Sequence, residues 1–303
     1  MPTEALNVPA GYRSGFVGLI GKPNVGKSTI LNLLLGRKVS IVSPRPQTTR
    51  QRVLGILTKD DAQVIFVDTP GWHKPEDPLG RHLISVAKGV IEEVDILVAV
   101  LDATSGIEIE DEWVFNEVRQ RKRPALAVIN KADAVKKPSL LPFLEQLAAL
   151  KLFDDQIPVS ALKHENLDVL LKEIIRRLPE GPRWYAPGQV TDQTSEQIIR
   201  ELIREQVFNA VRQEVPYAVA IRLDAMEDKP RVTVIQATIL VEREGQKAIM
   251  IGKRGQMLKE IGKAARLELE RELGRRIYLE LWVKVEKDWR RKMSVLRELG
   301  YHY

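Results

Sequence analysis

The 303-residue sequence predicts an α/β domain with a mixed, mostly parallel sheet and helices on both faces, followed by a smaller α+β domain. Up to about residue 180, short apolar runs alternate with amphipathic segments, which is typical of strands alternating with helices. Residues 178–188 then hold three prolines and two glycines, which cannot continue a helix or a strand. We therefore predict a first domain at residues 14–180, a linker at 181–193 and a second domain at 194–303.

A glycine-rich loop separates the first predicted strand from the first predicted helix. The apolar run Phe16–Ile20 indicates a buried strand, and the apolar residues from Ile30 to Leu35 indicate a helix that Gly36 ends. The loop between them has the phosphate-binding pattern G-x-x-x-x-G-K-[ST], whose backbone N–H groups surround phosphate oxygens at the positive end of the helix. The phosphate contacts predicted here are Gly21, Lys22, Pro23, Asn24, Val25, Gly26, Lys27, Ser28 and Thr29.

A second motif adds the groups expected around a magnesium-bound triphosphate. In the loop, Lys27 is placed to reach the β- and γ-phosphates and Ser28 to bind Mg²⁺. A buried strand, Val64–Val67, ends at Asp68, where a carboxylate can hold Mg²⁺ directly or through water. Gly71 offers a backbone N–H that a γ-phosphate can approach without a Cβ in the way. The contacts predicted in this motif are Asp68, Thr69, Pro70, Gly71 and Trp72.

A third motif predicts the base. The strand Ala125–Ile129 leads into Asn130-Lys-Ala-Asp133. The Asp133 carboxylate can accept hydrogen bonds from N1–H and from the exocyclic amine of guanine, a donor pair that adenine lacks. The alternative interpretation is that Asp133 caps a helix before Val135. With the motifs in this order, the sequence predicts a guanine-nucleotide site. Its predicted base contacts are Asn130, Lys131, Asp133, Ser160 and Ala161.

Together these peptides resemble the motifs of the Ras-like regulatory GTPases, over residues 15 to about 180. The resemblance implies hydrolysis of GTP to GDP with Mg²⁺ as cofactor, and a switch threonine before the strand Gln51–Leu57. Thr48 and Thr49 are both candidates, in a loop of the kind that orders around a γ-phosphate. Similarity to GTPases with a Thr-Thr-Arg switch favours Thr49. The implied Mg²⁺ ligands are Ser28, Thr49 and Asp68, and the implied catalytic residues are Lys27, Thr49 and Gly71.

One position departs from the Ras-type pattern. Trp72 stands where those enzymes have a glutamine that orients the attacking water, so slow intrinsic hydrolysis is expected. The alternative role for Trp72 is packing against the sheet edge. In related GTPases without the glutamine, an asparagine at the position of Asn24 binds a potassium ion beside the phosphates, so K⁺ is a further candidate cofactor. The alternative role for Asn24 is to adopt an unusual turn conformation.

Beyond the proline-rich segment, the order of elements changes. Thr194 is a candidate N-cap for a helix to about Val211, and a final helix is expected from Trp289 to Leu299. Between them we predict strands at 217–226, 232–241 and 277–285, a short helix at 246–251, a loop at 252–255 and a helix at 256–273.

This order, with Gly252-Lys-Arg-Gly255 between two helices, resembles a type II KH domain, which clamps single-stranded nucleic acid at its Gly-x-x-Gly loop. A lone Gly-Lys-Arg-Gly would more often be a basic turn, but the surrounding elements favour RNA binding. The implied RNA contacts are Ile249, Ile251, Gly252, Lys253, Arg254, Gly255, Leu258 and Lys259.

Positive charge is concentrated in the same region. Residues 243–303 contain 16 Lys and Arg but 9 Asp and Glu, while the other 242 residues contain 31 and 32. A uniformly charged surface would not show this asymmetry, which is typical of a phosphate-binding surface.

Both halves together resemble the Era family of bacterial GTPases, in which a P-loop GTPase domain precedes a type II KH domain. The strings that show it include Pro46–Arg50, Asp68–Trp72, Leu240–Lys247 and Leu279–Val285. The resemblance implies a GTPase that binds the 3′ region of 16S rRNA and helps to assemble the 30S subunit. It also implies peripheral contact with the inner membrane, although the sequence shows no lipidation motif or strongly amphipathic basic helix.

Other features fit a cytoplasmic, monomeric protein. There is no cysteine, the N-terminal residues do not have the pattern of a signal peptide, and the longest apolar run, Ile96–Leu101, is too short to span a bilayer. Two interpretations of the activity stay open. In one, the chain is a translation or tRNA-modification GTPase whose turnover is the purpose; in the other, it is an RNA-binding module that GTP switches.

Overall fold

A computed structural model describes residues 8–43, 45, 48–72, 78–121, 123–211 and 215–301. The chain divides into two compact units. Within the described ranges, the first unit contains residues 8–72 and 83–192, and the second contains residues 78–82 and 193–301. No helix in these ranges combines the length and the apolar character needed to cross a membrane.

The first unit is built on a six-stranded sheet with the strand order β2-β3-β1-β4-β5-β6. Only the edge strand β2 is antiparallel to its neighbour, β3; the other neighbouring pairs are parallel. The strands are β1 (Arg13–Ile20), β2 (Val53–Thr58), β3 (Ala62–Asp68), β4 (Ile96–Asp102), β5 (Ala125–Asn130) and β6 (Asp155–Pro158).

Helices cover both faces of this sheet: α1 (Lys27–Leu35), α2 (Pro78–Glu93), α3 (Ile109–Gln120), α4 (Lys137–Leu150) and α5 (Leu167–Arg177). The central strand β4 is buried along its whole length because its side chains alternate between two cores. Val98 packs in the core that includes residues of α1 and α5. Its neighbour Leu97 packs in the core that includes residues of α2 and α3. This arrangement confirms the predicted mostly parallel sheet with helices on both faces.

The predicted linker begins as a strap on the first unit, which we define as residues 179–190. Gln63 on β3 is fully buried and holds this strap. Its side-chain oxygen accepts hydrogen bonds from the backbone N–H groups of Trp184 (2.7 Å) and Tyr185 (3.0 Å). Its amide nitrogen donates to the carbonyl of Tyr185 (2.9 Å) and to the hydroxyl of Thr58 (2.9 Å). Further along, the N–H of Ile56 on β2 donates to the Val190 carbonyl (2.9 Å). The strap is therefore fastened to the β2–β3 hairpin.

The second unit contains a three-stranded sheet with the order β7-β8-β9. β7 pairs antiparallel with β8, and β8 pairs in parallel with β9. Helix α6 packs against α8, and α8 packs against β9. Its elements are α6 (Ser195–Ala210), β7 (Ala220–Lys229), β8 (Val232–Val241), α7 (Glu244–Ile251), α8 (Gln256–Leu273), β9 (Ile277–Val285) and α9 (Met293–Glu298).

Several predicted boundaries in the second unit were wrong: β7 ends at Lys229 instead of residue 226, and α7 begins at Glu244 instead of residue 246. The strand expected from residue 217 begins at Ala220, because Val215–Ala218 form a 3₁₀ turn. The final helix is interrupted: Trp289–Arg291 form a 3₁₀ turn, and Lys292 is extended before α9. The fully buried indole of Trp289 donates to the Ala218 carbonyl (2.8 Å). Burying this side chain fixes the backbone here, which hydrophobic periodicity does not reveal.

Replacing the buried carboxamide of Gln63 should destabilise the first unit. In Gln63→Leu the N–H groups of Trp184 and Tyr185 lose their acceptor, and unpaired polar groups away from water each cost about 1–3 kcal/mol. We expect urea unfolding to show a loss of about 2–4 kcal/mol. Gln120→Leu, at an exposed position on α3, is the matched control and should stay within about 0.5 kcal/mol of the wild type. Equal stability of the two variants would contradict the role of Gln63.

Candidate nucleotide site and nucleic-acid interface

A cleft of about 470 Å³ lies at the carboxyl ends of the parallel strands in the first unit. Of the residues predicted to contact nucleotide, twelve line it: Pro23, Asn24, Gly26, Lys27, Ser28, Thr29, Thr49, Gly71, Asn130, Lys131, Asp133 and Ala161. Its other lining residues are Ile41, Val42, Ser43, Thr48, Ala134 and Leu162. The remaining predicted residues do not line it: Gly21, Lys22, Val25, Asp68, Thr69, Pro70, Trp72 and Ser160.

The phosphate loop is tied to the base motif through Asn130. Its side-chain amide donates to the carbonyl of Val25 (2.7 Å), and its side-chain oxygen accepts from the N–H of Ala161 (3.1 Å). Gly26 has φ of 102°, and a Cβ there would lie 2.2 Å from the Asn130 amide nitrogen. Only glycine therefore allows this approach. One side chain thus joins the phosphate loop, the Asn130–Asp133 motif and the Ser160–Ala161 peptide.

Lys27 is folded back onto its own loop. Its ammonium group donates to the carbonyls of Gly21 (2.9 Å) and Lys22 (3.0 Å). Burial lowers the pKa of Lys27 to about 8, although the neighbouring Asp68 opposes the shift. The lysine therefore holds its proton less tightly than an exposed lysine does.

Asp68 is fully buried at the end of β3, and hydroxyl groups from three segments converge on it. Its Oδ2 accepts from Ser28 (2.5 Å), Ser40 (2.8 Å) and Thr49 (3.3 Å). Among the described residues, its Oδ1 is buried without a hydrogen-bond partner. Burial raises the pKa of Asp68, while Lys27 and the three hydroxyls work against that shift.

This donor set fits Mg²⁺. Carboxylate and hydroxyl oxygens are the hard ligands that Mg²⁺ prefers, and it is commonly held by one or two carboxylates together with substrate phosphates. The unpartnered Oδ1 of Asp68 offers the remaining acceptor. Of the two candidate threonines, Thr49 has its hydroxyl 3.0 Å from that of Ser28, whereas the hydroxyl of Thr48 donates to the carbonyl of Arg45 (2.7 Å). The geometry therefore favours Thr49.

Ser40 was not found by sequence analysis. It belongs to no motif, yet it is buried beside Asp68. Asn32 on α1 places it: the Asn32 side-chain oxygen accepts from the N–H groups of Val39 (2.9 Å) and Ser40 (3.0 Å). The only signal in the sequence is Asn32 itself, a polar residue among the apolar residues of α1.

At the base end of the cleft, Asp133 accepts a hydrogen bond from the Ser160 hydroxyl (2.6 Å). The short 3₁₀ turn Ala132–Ala134 has Lys131, not Asp133, at its N-cap position, so the structure does not support the helix-cap interpretation. Lys131 forms an ion pair with Asp102, another residue that sequence analysis missed. Although burial raises the pKa of Asp102, its hydrogen bonds with Lys131 and Thr104 outweigh that effect and lower it.

Several predicted contacts have side chains with other partners. The side chain of Trp72 is buried in the core with Leu54 and Val67, as the packing alternative requires. The backbone N–H of Trp72 donates to the Gly21 carbonyl (3.1 Å). The hydroxyl of Thr69 donates to the Leu19 carbonyl (2.8 Å). Asn24 has φ of 63°, so the unusual turn conformation is present. The side chain of Lys22 points toward α3 instead of the cleft.

In the second unit, Gly252–Gly255 form a tight turn between α7 and α8. Arg254 has φ of 53°, and Gly252 and Gly255 also have positive φ. The side chains of Lys253 and Arg254 are exposed, and no ion pair holds them within the described part of the chain. Of the predicted apolar contacts, Ile249 is exposed whereas Ile251 and Leu258 are half-buried; Lys259 is exposed. Exposed cations beside a glycine-containing turn at a helix N-terminus form a surface suited to phosphates.

Comparison with known proteins gives long matches. The chain is 43% identical over 292 residues to GTPase Era of Staphylococcus epidermidis, which covers 96% of this chain and 97% of that protein. A crystal structure of Era with MgGDPNP and nucleotides 1506–1542 of 16S ribosomal RNA matches 96% of this chain and all of that chain, with 43% identity and a TM-score of 0.94. A variant of Aquifex aeolicus Era bound to GDP and AlF₄⁻ has the same identity and coverage and a TM-score of 0.93.

Two family models match separate parts of the chain: a 50S ribosome-binding GTPase model at residues 16–131 and a KH domain model at residues 214–290. Together with the geometry above, they define a P-loop GTPase joined to a KH domain. Because the likeness to GTPase Era extends over nearly the whole length, the chain belongs to the Era family of GTPases. The fold class and the GTPase assignment predicted from sequence are thereby confirmed.

The pKa of Lys27 predicts a pH-dependent affinity for GTP. Below about pH 8 the free protein already has the charged ammonium that phosphates require. Above that pH it must first take up a proton, so affinity should fall about tenfold between pH 7 and pH 9. Calorimetry in buffers of different ionisation enthalpy should show proton uptake at the higher pH. Lys27→Arg, which stays charged throughout, should bind more weakly but without this dependence. An equal fall in both proteins would assign the effect to another group.

Proposed function

We propose that this chain is a GTP-hydrolysing switch that binds the 3′ region of 16S rRNA and assists assembly of the 30S subunit. The observation that supports it most is the cleft in which Asn130 joins the phosphate loop to the base motif, in a chain that also contains a basic Gly-x-x-Gly turn. The structure of Era with MgGDPNP and an rRNA fragment supports both ligands.

In the nucleotide cleft, each motif has a separate task. The carboxylate of Asp133 accepts hydrogen bonds from guanine, and Ser160 orients that carboxylate. The N–H groups of the loop and the ammonium of Lys27 bind the phosphates. Ser28, Thr49 and Asp68 would hold Mg²⁺, which offsets phosphate charge when bound. Gly71 lines the cleft, and its N–H is the proposed contact to the γ-phosphate.

Hydrolysis in this chain proceeds without a glutamine beside the nucleophile. The side chain of Trp72 is 5% exposed and offers no carbonyl to orient water. The extra positive charge in the transition state must come from a bound cation or from a partner, and we propose K⁺ held in part by Asn24. An arginine finger in this role contributes about 10³–10⁵ in rate.

In the second unit, the proposed RNA contacts are the Gly252–Gly255 turn with its two cations, supported by Ile249, Ile251, Leu258 and Lys259. Two glycines allow the RNA backbone to approach closely, and the N-terminus of α8 adds its positive pole. We further propose that the protein acts as a monomer in the cytoplasm. Peripheral contact with the inner membrane is supported by the family resemblance alone.

Measuring rRNA affinity with different nucleotides distinguishes the two interpretations of the activity: an enzyme whose turnover is the purpose, or an RNA-binding switch. If GTP controls RNA binding, a non-hydrolysable GTP analogue alone should change rRNA affinity many-fold relative to GDP. Equal RNA affinity with both nucleotides would favour the enzyme alternative.

Replacing one carboxylate oxygen of Asp133 with an amide nitrogen should change the preference of the site for guanine. Asp133→Asn replaces an acceptor with a donor, so guanine loses about 100-fold or more in affinity while xanthine, which offers an acceptor there, gains. Competition binding with GDP and xanthosine diphosphate measures both effects. Asp168→Asn, on an exposed position of α5, is the control. Wild-type protein that binds ATP as well as GTP would contradict the assignment of the first unit.

Reversing the two positive charges at the glycine turn should abolish RNA binding without affecting nucleotide binding. Lys253→Asp/Arg254→Asp is expected to lose single-stranded rRNA binding and to keep its GTP affinity. Lys151→Asp/Lys172→Asp makes the same charge change on exposed residues of the first unit and should keep most RNA binding. Wild-type binding should also weaken steeply with salt, as phosphate contacts do. Equal losses in the two double variants would mean that the effect is one of net charge.

Substitution at Asn24 separates its two possible roles. Asn24→Gly keeps the left-handed backbone and deletes the carboxamide, whereas Asn24→Ala strains that backbone as well. If the carboxamide binds K⁺, wild-type hydrolysis should be faster in potassium than in sodium, and Asn24→Gly should lose the difference with nucleotide affinity nearly unchanged. Equal wild-type rates in the two salts would leave the ribosomal particle as the activator.

A further inference from the structure

Lys22, the second residue of the phosphate loop, points its side chain away from the cleft. Its ammonium group donates to the hydroxyl of Ser105 (2.9 Å), to Asp111 Oδ2 (3.1 Å) and to the carboxylate of Glu108. An ammonium has three N–H donors, so all of them are used. We call Ser105, Glu108 and Asp111, at the start of α3, the Lys22 socket. A phosphate could bind Lys22 only after the lysine left it.

The socket is strong because much of it is withdrawn from water. Asp111 is 1% exposed, and its Oδ2 also accepts from the Glu108 N–H (2.9 Å). Lys22 is 8% exposed; burial disfavours its charge, but the two carboxylates outweigh that effect and raise its pKa. Separating such a pair leaves an uncompensated buried charge, which is costly. The side chain of Lys22 is therefore firmly fixed to α3.

The same loop segment contacts the second motif on its other side. The Gly21 carbonyl accepts from the N–H of Trp72 (3.1 Å). Gly71 packs so closely on Pro23 that a Cβ at Gly71 would lie 2.8 Å from the Cα of Pro23. The segment 21–23 thus lies between the socket on α3 and the backbone of Gly71 and Trp72.

The second half of the loop has further attachments of its own, besides the hydrogen bonds from Lys27 to the carbonyls of Gly21 and Lys22. Val25 is fastened by the side chain of Asn130 (2.7 Å), and Lys27 and Ser28 lie on α1. Contacts to the phosphates shared by GTP and GDP come from this half. Contacts to the γ-phosphate depend on Gly71, whose position rests on Pro23.

We propose that Lys22 is a positioning residue that sets the γ-phosphate side of the site. By fixing the segment 21–23, the Lys22 socket places the N–H of Gly71, and it thereby controls the preference for GTP over GDP and the hydrolysis rate. This assignment rests on the proposed function, since it takes the γ-phosphate to be the ligand of Gly71.

The test compares Lys22→Met and Asp111→Asn with Glu110→Gln, an exposed carboxylate on the same turn of α3. Affinities for GDP and for a non-hydrolysable GTP analogue are measured together with kcat. In both socket variants the analogue affinity and kcat should fall about tenfold, because small displacements of a reacting group have effects of this size or larger. Their GDP affinity should change less than about twofold, and Glu110→Gln should match the wild type.

Asp111→Asn also distinguishes the proposal from direct phosphate binding by Lys22. If the ammonium contacted a phosphate, weakening its hold on α3 would leave nucleotide affinity unchanged or raise it, whereas positioning predicts a loss. A fall in GDP and GTP affinity by the same factor would show a merely structural role and would also overturn the proposal.

The double variant Lys22→Met/Asp111→Asn removes both buried charges and guards against simple misfolding. The double variant should unfold near the wild-type temperature and still bind the GTP analogue about tenfold more weakly while its GDP affinity is kept. A ratio of GTP to GDP affinity equal to that of the wild type would overturn the proposal. Failure of the wild type to bind either nucleotide would instead overturn the proposed function.

Discussion

The arrangement of the nucleotide site depends on one buried carboxylate at the end of a central strand. Asp68 is fully buried, and burial alone would favour its neutral form. Opposing this are Lys27 and three hydroxyls, which come from the start of α1 (Ser28), from the segment after α1 (Ser40) and from the segment before β2 (Thr49). Three segments that are distant in sequence come together because each donates a hydroxyl hydrogen bond to the Asp68 carboxylate. The oxygen atoms gathered there form a site suited to a hard cation.

Burial at the phosphate end of the cleft also explains why the pKa of Lys27 is lowered. Burial disfavours the ammonium, and the neighbouring Asp68 carboxylate compensates only in part, so the pKa of Lys27 falls to about 8. The site is therefore built around a cation and an anion that are both poorly solvated. A magnesium-bound triphosphate supplies the charges that both lack, which is the electrostatic preorganisation expected of a phosphoryl-transfer site.

Sequence analysis predicted what local patterns encode and missed what tertiary contacts create. The phosphate loop, Asp68 and the Asn130–Asp133 motif are contiguous peptides, so their spacing could be interpreted without coordinates. Ser40 lies 28 residues before its partner Asp68, and Lys22 reaches acceptors 83–89 residues away. Such pairings belong to no local pattern. The break at Lys292 was hidden for a related reason, since burial of the Trp289 indole against Ala218 overrides the helical periodicity.

The β2–β3 hairpin links the nucleotide site to the strap that leads toward the second unit. β2 begins four residues after Thr49 and β3 ends at Asp68, so two of the three proposed magnesium ligands are attached to one hairpin. The hairpin also carries Gln63, whose side chain makes three hydrogen bonds with residues 184 and 185 and one with Thr58. A buried carboxamide in this position cannot slide along the strap without leaving a polar group unpaired, at a cost of about 1–3 kcal/mol. The strap therefore either moves with the hairpin or detaches from it, and no intermediate position keeps all of these hydrogen bonds.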